Sequence, residues 1–224
     1  MDDRKTYYSF HDVPFKDSYN TSINPINQGF RFSKNEIIQI LIAIAVLTIA
    51  FSFAFAPSPP LSNLSSVIDN LPLAFLAIVT AFFCHEMAHK YMGLKYGYWS
   101  EFRIYPFGLL LALFLGLTLG VVFAAPGAVT IFGQPNKDEY GKISAAGPTT
   151  NLIIAGIFLI LSNITTGGLG LLFFFIGYIN TFLALFNLLP LGMLDGLKVF
   201  RWRVEIWVAL FLTGIFLFVS FLNI

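Results

Sequence analysis

The sequence predicts an all-α membrane protein, a polytopic helix bundle of five to six spans. Three observations predict it. Of 224 residues, 57% are hydrophobic and 11% charged, whereas soluble domains carry about 25% charge. That is too little charge to cover a soluble globule. The apolar residues gather into long runs, the full ones about 17–25 residues, enough to cross a hydrocarbon core. The breaks between runs hold the turn-forming residues, as in PSPPLSNLSS after Ala56. The net charge of +1 argues against nucleic-acid binding. With Cys84 as its one cysteine, the chain cannot form an internal disulfide.

The elements follow in order. Residues 1–35 carry Arg4, Lys5, Lys16, Arg31 and Lys34 and read as a polar N-terminal tail, not a signal peptide. A membrane-embedded region spans 36–203, with its core at 71–198. Its apolar runs are Ile37–Ala56, Leu71–Gly93, Leu109–Ala125, Ala145–Leu161 and Leu169–Leu189. Between the third and fourth lies PGAVTIFG, a short β-like segment at 126–133. Pro190 stops the fifth run, since proline lacks an N–H and clashes with the preceding turn. Residues 204–224 form a C-terminal membrane helix.

Whether 109–125 crosses is read from the basic residues. The chain has 13 Lys and Arg. If the segment crosses once, Lys137, Lys142, Lys198, Arg201 and Arg203 fall on the outer face. If it enters and returns as a re-entrant hairpin, all the basic residues are cytoplasmic, as the positive-inside rule prefers. Gly108, Gly116 and Gly120 allow such a bend. A plain crossing helix is the alternative.

The second run contains FFCHEMAHKYMG. Residues four apart on a helix share a face, so the imidazoles of His85 and His89 can meet on one ion. The spacing suits zinc, with Glu86 beside it as general base. A bare carboxylate at membrane depth costs roughly 2.5–3.5 kcal/mol even on a lenient scale, so chance placement is a poor explanation. A polar cluster that merely joins helices is the bland one. Catalytic zinc usually takes three protein ligands. His11 lies in the polar tail, and Cys84 points about 100° away from His85. Glu36, Asp69, Glu101 and Glu205 flank apolar runs and read as interfacial. Asp195 sits in FNLLPLGMLDGLKVF, where backbone broken by Pro190 is tolerated only inside protein or beside a water-filled cavity. It is the expected third ligand. His85 lies about eight residues, ~12 Å, above the helix end at Gly93. Asp195 reaches that depth most easily after an even number of crossings, which again favours the hairpin.

With HEMAH, GPTTN (Gly147–Asn151) and NLLPLGMLDG (Asn187–Gly196) in this order, the chain resembles the site-2 protease family of intramembrane zinc metalloproteases, from roughly Leu71 to Lys198. The resemblance implies one zinc ion per chain on His85, His89 and Asp195, with Glu86 as catalytic base. It implies that Gly-Pro-x-x-Asn opens a core helix, and it makes Asn151 and Asn187 possible active-site polar residues. No Asn-Pro precedes Asp195-Gly196, which leaves the role of Asn187 open. The bland readings are that Gly147-Pro148 starts a helix and that both asparagines bond to neighbouring helices. The implied activity is hydrolysis of peptide bonds in membrane-spanning protein substrates, in a multi-pass cell-membrane protein whose site faces the cytoplasm. A non-catalytic membrane protein that binds metal or substrate helices is the alternative. PGAVTIFG reads either as a strand that pairs with an unfolded substrate or as a surface loop.

Overall fold

The computed structural model describes residues 29–57, 60–122 and 126–224. Most of the expected polar tail, with His11, lies outside them. The described chain runs α1 (Lys34–Ala54), a 3₁₀ turn (Pro60–Ser62), α2 (Leu64–Ile78), a π-helical turn (Val79–Phe83) and α3 (Cys84–Lys95). It continues through β1 (Trp99–Ile104), α4 (Pro106–Leu119), β2 (Gly127–Phe132), α5 (Lys137–Ile164), α6 (Gly167–Asn187), α7 (Asp195–Trp202) and α8 (Val204–Leu222).

Five helices among the described residues are long and apolar enough to cross a membrane. They are α1, the continuous α2–α3 helix, α5, α6 and α8. The chain is therefore a mostly helical, multi-pass membrane protein, as its composition predicts. α5 packs against α3 on one side and against α6, α7 and α8 on the others, while α1 packs against α2 and α4.

Local chemistry explains the helix boundaries. The Ser33 hydroxyl accepts from the Glu36 N–H at the start of α1, the usual N-cap bond. Asn136 and Glu139 form a reciprocal capping box at the start of α5. The helix therefore begins at Lys137, well before the apolar run, and Gly147-Pro148 lies inside it. The expectation that this pair opens a helix is corrected: the cap, not the proline, sets the boundary. Within the second span, the Cys84 N–H donates to the Val79 carbonyl five residues back. The extra residue in that turn re-aims everything after it by about 100°, immediately before His85.

The segment after α3 returns to where it began. α4 has 14 residues, about 21 Å of helix. It ends at Gly120, in the left-handed conformation (φ 66°) that glycine adopts freely. β2 then pairs antiparallel with β1, Ile104 opposite Gly127 and Trp99 opposite Phe132, and the Tyr105 N–H donates to the Pro126 carbonyl at 2.9 Å. Both ends of 105–126 thus meet, which agrees with a re-entrant excursion and not with a single crossing. β2 matches the β-like segment read at 126–133. β1 was not expected: WSEFRI carries a glutamate and an arginine and lacks a simple apolar alternation. Tyr98, just before β1, donates to Glu139 at 2.7 Å and so joins the hairpin base to the α5 cap. Burial, and then that carboxylate, push its phenol up to about 12.

The topology makes a prediction. With Cys84 replaced by Ser, cysteines placed at Lys95 and at Lys137 should react with a membrane-impermeant maleimide from the same face. Labelling from opposite faces would mean that the segment between them crosses.

Candidate metal centre

Two elements bring three side chains to one point. His85 and His89 lie one turn apart on α3, and Asp195 is the first residue of α7, after the break at Leu188–Leu194. All three are buried. The Oδ2 atom of Asp195 lies 3.3 Å from His85 Nε2 and 2.9 Å from His89 Nε2, and the two Nε2 atoms lie 3.0 Å apart. Among the described residues, this is the only group of three His, Cys, Asp or Glu side chains that could hold a metal ion.

The surroundings orient these groups. His89 Nδ1 donates to the Ile143 carbonyl of α5 at 2.7 Å. This fixes the tautomer and leaves Nε2 as the free acceptor. Asp195 divides its two oxygens: Oδ2 faces the imidazoles, and Oδ1 accepts from Lys198 Nζ at 2.9 Å. Lys198 has no place in the expected site. Its spacing of three from Asp195, one turn along α7, is the signal that marks it.

Zinc fits this arrangement on three features. The donor set is two imidazole nitrogens and a carboxylate oxygen, the types zinc prefers. With bonds of about 2.0–2.1 Å, tetrahedral ligand atoms lie about 3.3 Å apart, close to the three separations found. The space is also kept open. A Cβ at Gly147 would lie 2.6 Å from His85 Nε2 and closer still to His89 Nε2, so only glycine lets α5 pass against both imidazoles.

Relatives carry the same reading. The chain is 42% identical over 199 residues to Putative zinc metalloprotease MJ0611 of Methanocaldococcus jannaschii, covering 86% of this chain and 98% of that protein. It is 30% identical over 151 residues to Putative zinc metalloprotease YwhC of Bacillus subtilis, covering 58% of this chain and 68% of that one. The chain belongs to the site-2-protease-like zinc metalloproteases. No family model matches it, and no solved structure does.

The other residues singled out in this family member divide sharply. Glu86 is buried on α3, and its Oε2 accepts from the Val129 N–H of β2 at 3.0 Å. That ties the carboxylate to the hairpin. Asn151, one turn beyond Gly147 on α5, is fully buried, and neither its amide nitrogen nor its oxygen has a partner among the described residues. His85 Nδ1 is likewise unpaired. Asn187 bonds back to the Leu183 carbonyl of its own helix at 3.0 Å. Two of the four acids read as interfacial are buried instead: Glu36 is fully inaccessible and Glu101 nearly so. Each has a cation to pair with, Lys90 for Glu36 and Arg103 for Glu101. Pairing is the condition for burying a charge.

Gly147→Val should leave the helices folded and reduce bound zinc in the purified protein to background, measured by metal analysis. Full zinc content in that variant would show that the ion sits elsewhere.

Proposed function

We propose that the protein is an intramembrane zinc endopeptidase that cleaves transmembrane protein substrates. The observation that carries this reading is the meeting of His85, His89 and Asp195, buried within a membrane bundle, with Glu86 on the same helix as the two histidines. Family membership supports the chemistry. The membrane bundle supports the location of the substrate.

In this reading His85, His89 and Asp195 hold one zinc ion. When bound, zinc supplies water activation at neutral pH and polarisation of a carbonyl. Glu86 acts as general base, takes a proton from the attacking water at its carboxylate, and returns it to the leaving amine. Lys198 holds Asp195 Oδ1 and so leaves Oδ2 directed at the imidazoles. Asn151, whose amide lacks a partner among the described residues, bonds the substrate backbone in this reading.

Presentation of the substrate follows from the hairpin. Antiparallel pairing leaves alternate residues with backbone groups pointing away from the partner strand. On β2 these are Gly127, Val129 and Ile131, because Val129 donates outward to Glu86. A substrate helix keeps its own carbonyls bonded, so it must unwind before cleavage. The unwound segment can pair with this edge as an added strand once Glu86 gives up the Val129 N–H, which frees the base beside the substrate. The distribution of Lys and Arg supports a site facing the cytoplasm. The intact Glu86 argues against a purely non-catalytic binding role.

The test is cleavage of a single-span substrate with glycine or proline near the cut, by wild type and Glu86→Gln, each loaded with zinc. The account predicts a loss of about 10²–10⁴-fold in rate for Glu86→Gln with zinc content unchanged. Equal measurable rates would show that Glu86 is not the base, and no cleavage by either protein would favour the binding role.

A further inference from the structure

One charged pair is buried yet takes no part in the chemistry above. Lys90 follows His89 directly, and both Lys90 and Glu36 are wholly inaccessible. Lys90 Nζ donates to both oxygens of Glu36, each at 2.8 Å, and to the Ser100 carbonyl of β1 at 2.8 Å. The Phe32 ring stacks near the same ammonium, 4.8 Å to its centre. Glu36 Oε1 also accepts from the Phe102 N–H at 3.0 Å, and Gln39, one turn along α1, accepts from the Ile104 N–H at 2.9 Å.

Ser100, Phe102 and Ile104 are the β1 residues whose backbone faces away from β2. Side chains of α1 and α3 meet one group on each of them. α1 therefore stands where a third strand would, and the β1 edge is closed to any added strand. On the β2 edge the outward Val129 N–H is engaged by Glu86. Glu86 and Lys90 are four apart on α3 and share a face. From that face Lys90 holds β1 and Glu86 holds β2. A buried ion pair contributes little net stability over apolar residues of the same volume, so stability alone is a poor account of this one.

We propose that Glu36 and Lys90 are positioning residues that fix the register of the β1–β2 hairpin against Glu86, and with it the bond presented for cleavage. The inference rests on the endopeptidase reading. It concerns which bond is cut and how well, while the metal ligands decide whether any is cut.

The test is Glu36→Gln with Lys90→Met, which removes both charges and leaves no unpaired one. Three readouts are compared with wild type in detergent: zinc per chain, amide exchange of residues 127–132, and the products and rates on one single-span substrate. The expected result is unchanged zinc and exchange at 127–132 faster by about tenfold or more. With it, kcat should fall by about 10- to 100-fold, the scale of a 1 Å misplacement, KM should change little, and cuts should spread to neighbouring bonds. Unchanged exchange, kcat per zinc-loaded chain and cut position would overturn the proposal and leave the pair a structural brace. If the double variant does not fold, Lys90→Arg keeps the charge but displaces its donors. A shifted or broadened cut then supports the proposal, and wild-type cleavage overturns it. Zinc-loaded wild type that cleaves no bond would sink the endopeptidase reading, while exchange at 127–132 would still decide the register.

Discussion

At Gly147 the backbone of α5 passes directly against two imidazoles of α3, and that contact is the constraint on which the rest of the structure depends. The missing side chain lets the two helices close and leaves room between the Nε2 atoms. The same approach carries the Ile143 carbonyl, one turn earlier on α5, to His89 Nδ1. With α3 and α5 joined there, the break after α6 can return Asp195 to the same depth. Two spans separate His89 from Asp195, because the intervening α4 excursion begins and ends at the paired strands.

Buried polar groups in such a bundle need partners, and two sets among the described residues contrast in how far they find them. One is the group of His85, His89, Asp195 and Lys198, which leaves His85 Nδ1 and the Asn151 amide unpaired. The other is the fully satisfied set of Glu36, Lys90, Ser100 and Phe102. The contrast has a physical sense. A satisfied network rigidifies, which suits a support for the hairpin. Unpaired buried groups are costly, and His85 Nδ1 and the Asn151 amide carry that cost beside the candidate metal ligands. Glu86 joins the two sets through Val129.

Much of this architecture was legible in the chain. The apolar runs located the five long helices, and PGAVTIFG located β2. The positions of Lys137, Lys142, Lys198, Arg201 and Arg203 argued for the excursion at 109–125, and the strand pairing agrees with it. The convergence of His85, His89 and Asp195 followed from helical spacing and from the proline-broken backbone before Asp195. Other features left no readable trace. The π-helical turn at Val79–Phe83 has no distinctive composition. β1 carries Glu101 and Arg103, so its burial depends on tertiary pairing. Glu36 and Lys90 lie 54 residues apart, and each alone resembles an interfacial charge. Lys198 left only its spacing of three from Asp195 as a signal, and which oxygen it engages depends on the tertiary site.

The most direct measurement is the zinc content of the purified protein in detergent, wild type beside Asp195→Ala. The account predicts close to one zinc per chain in wild type and a large loss in the variant, because an ion left with two imidazoles lacks its third protein ligand. Zinc held equally well by Asp195→Ala, or no zinc in wild type after zinc is supplied, would contradict it.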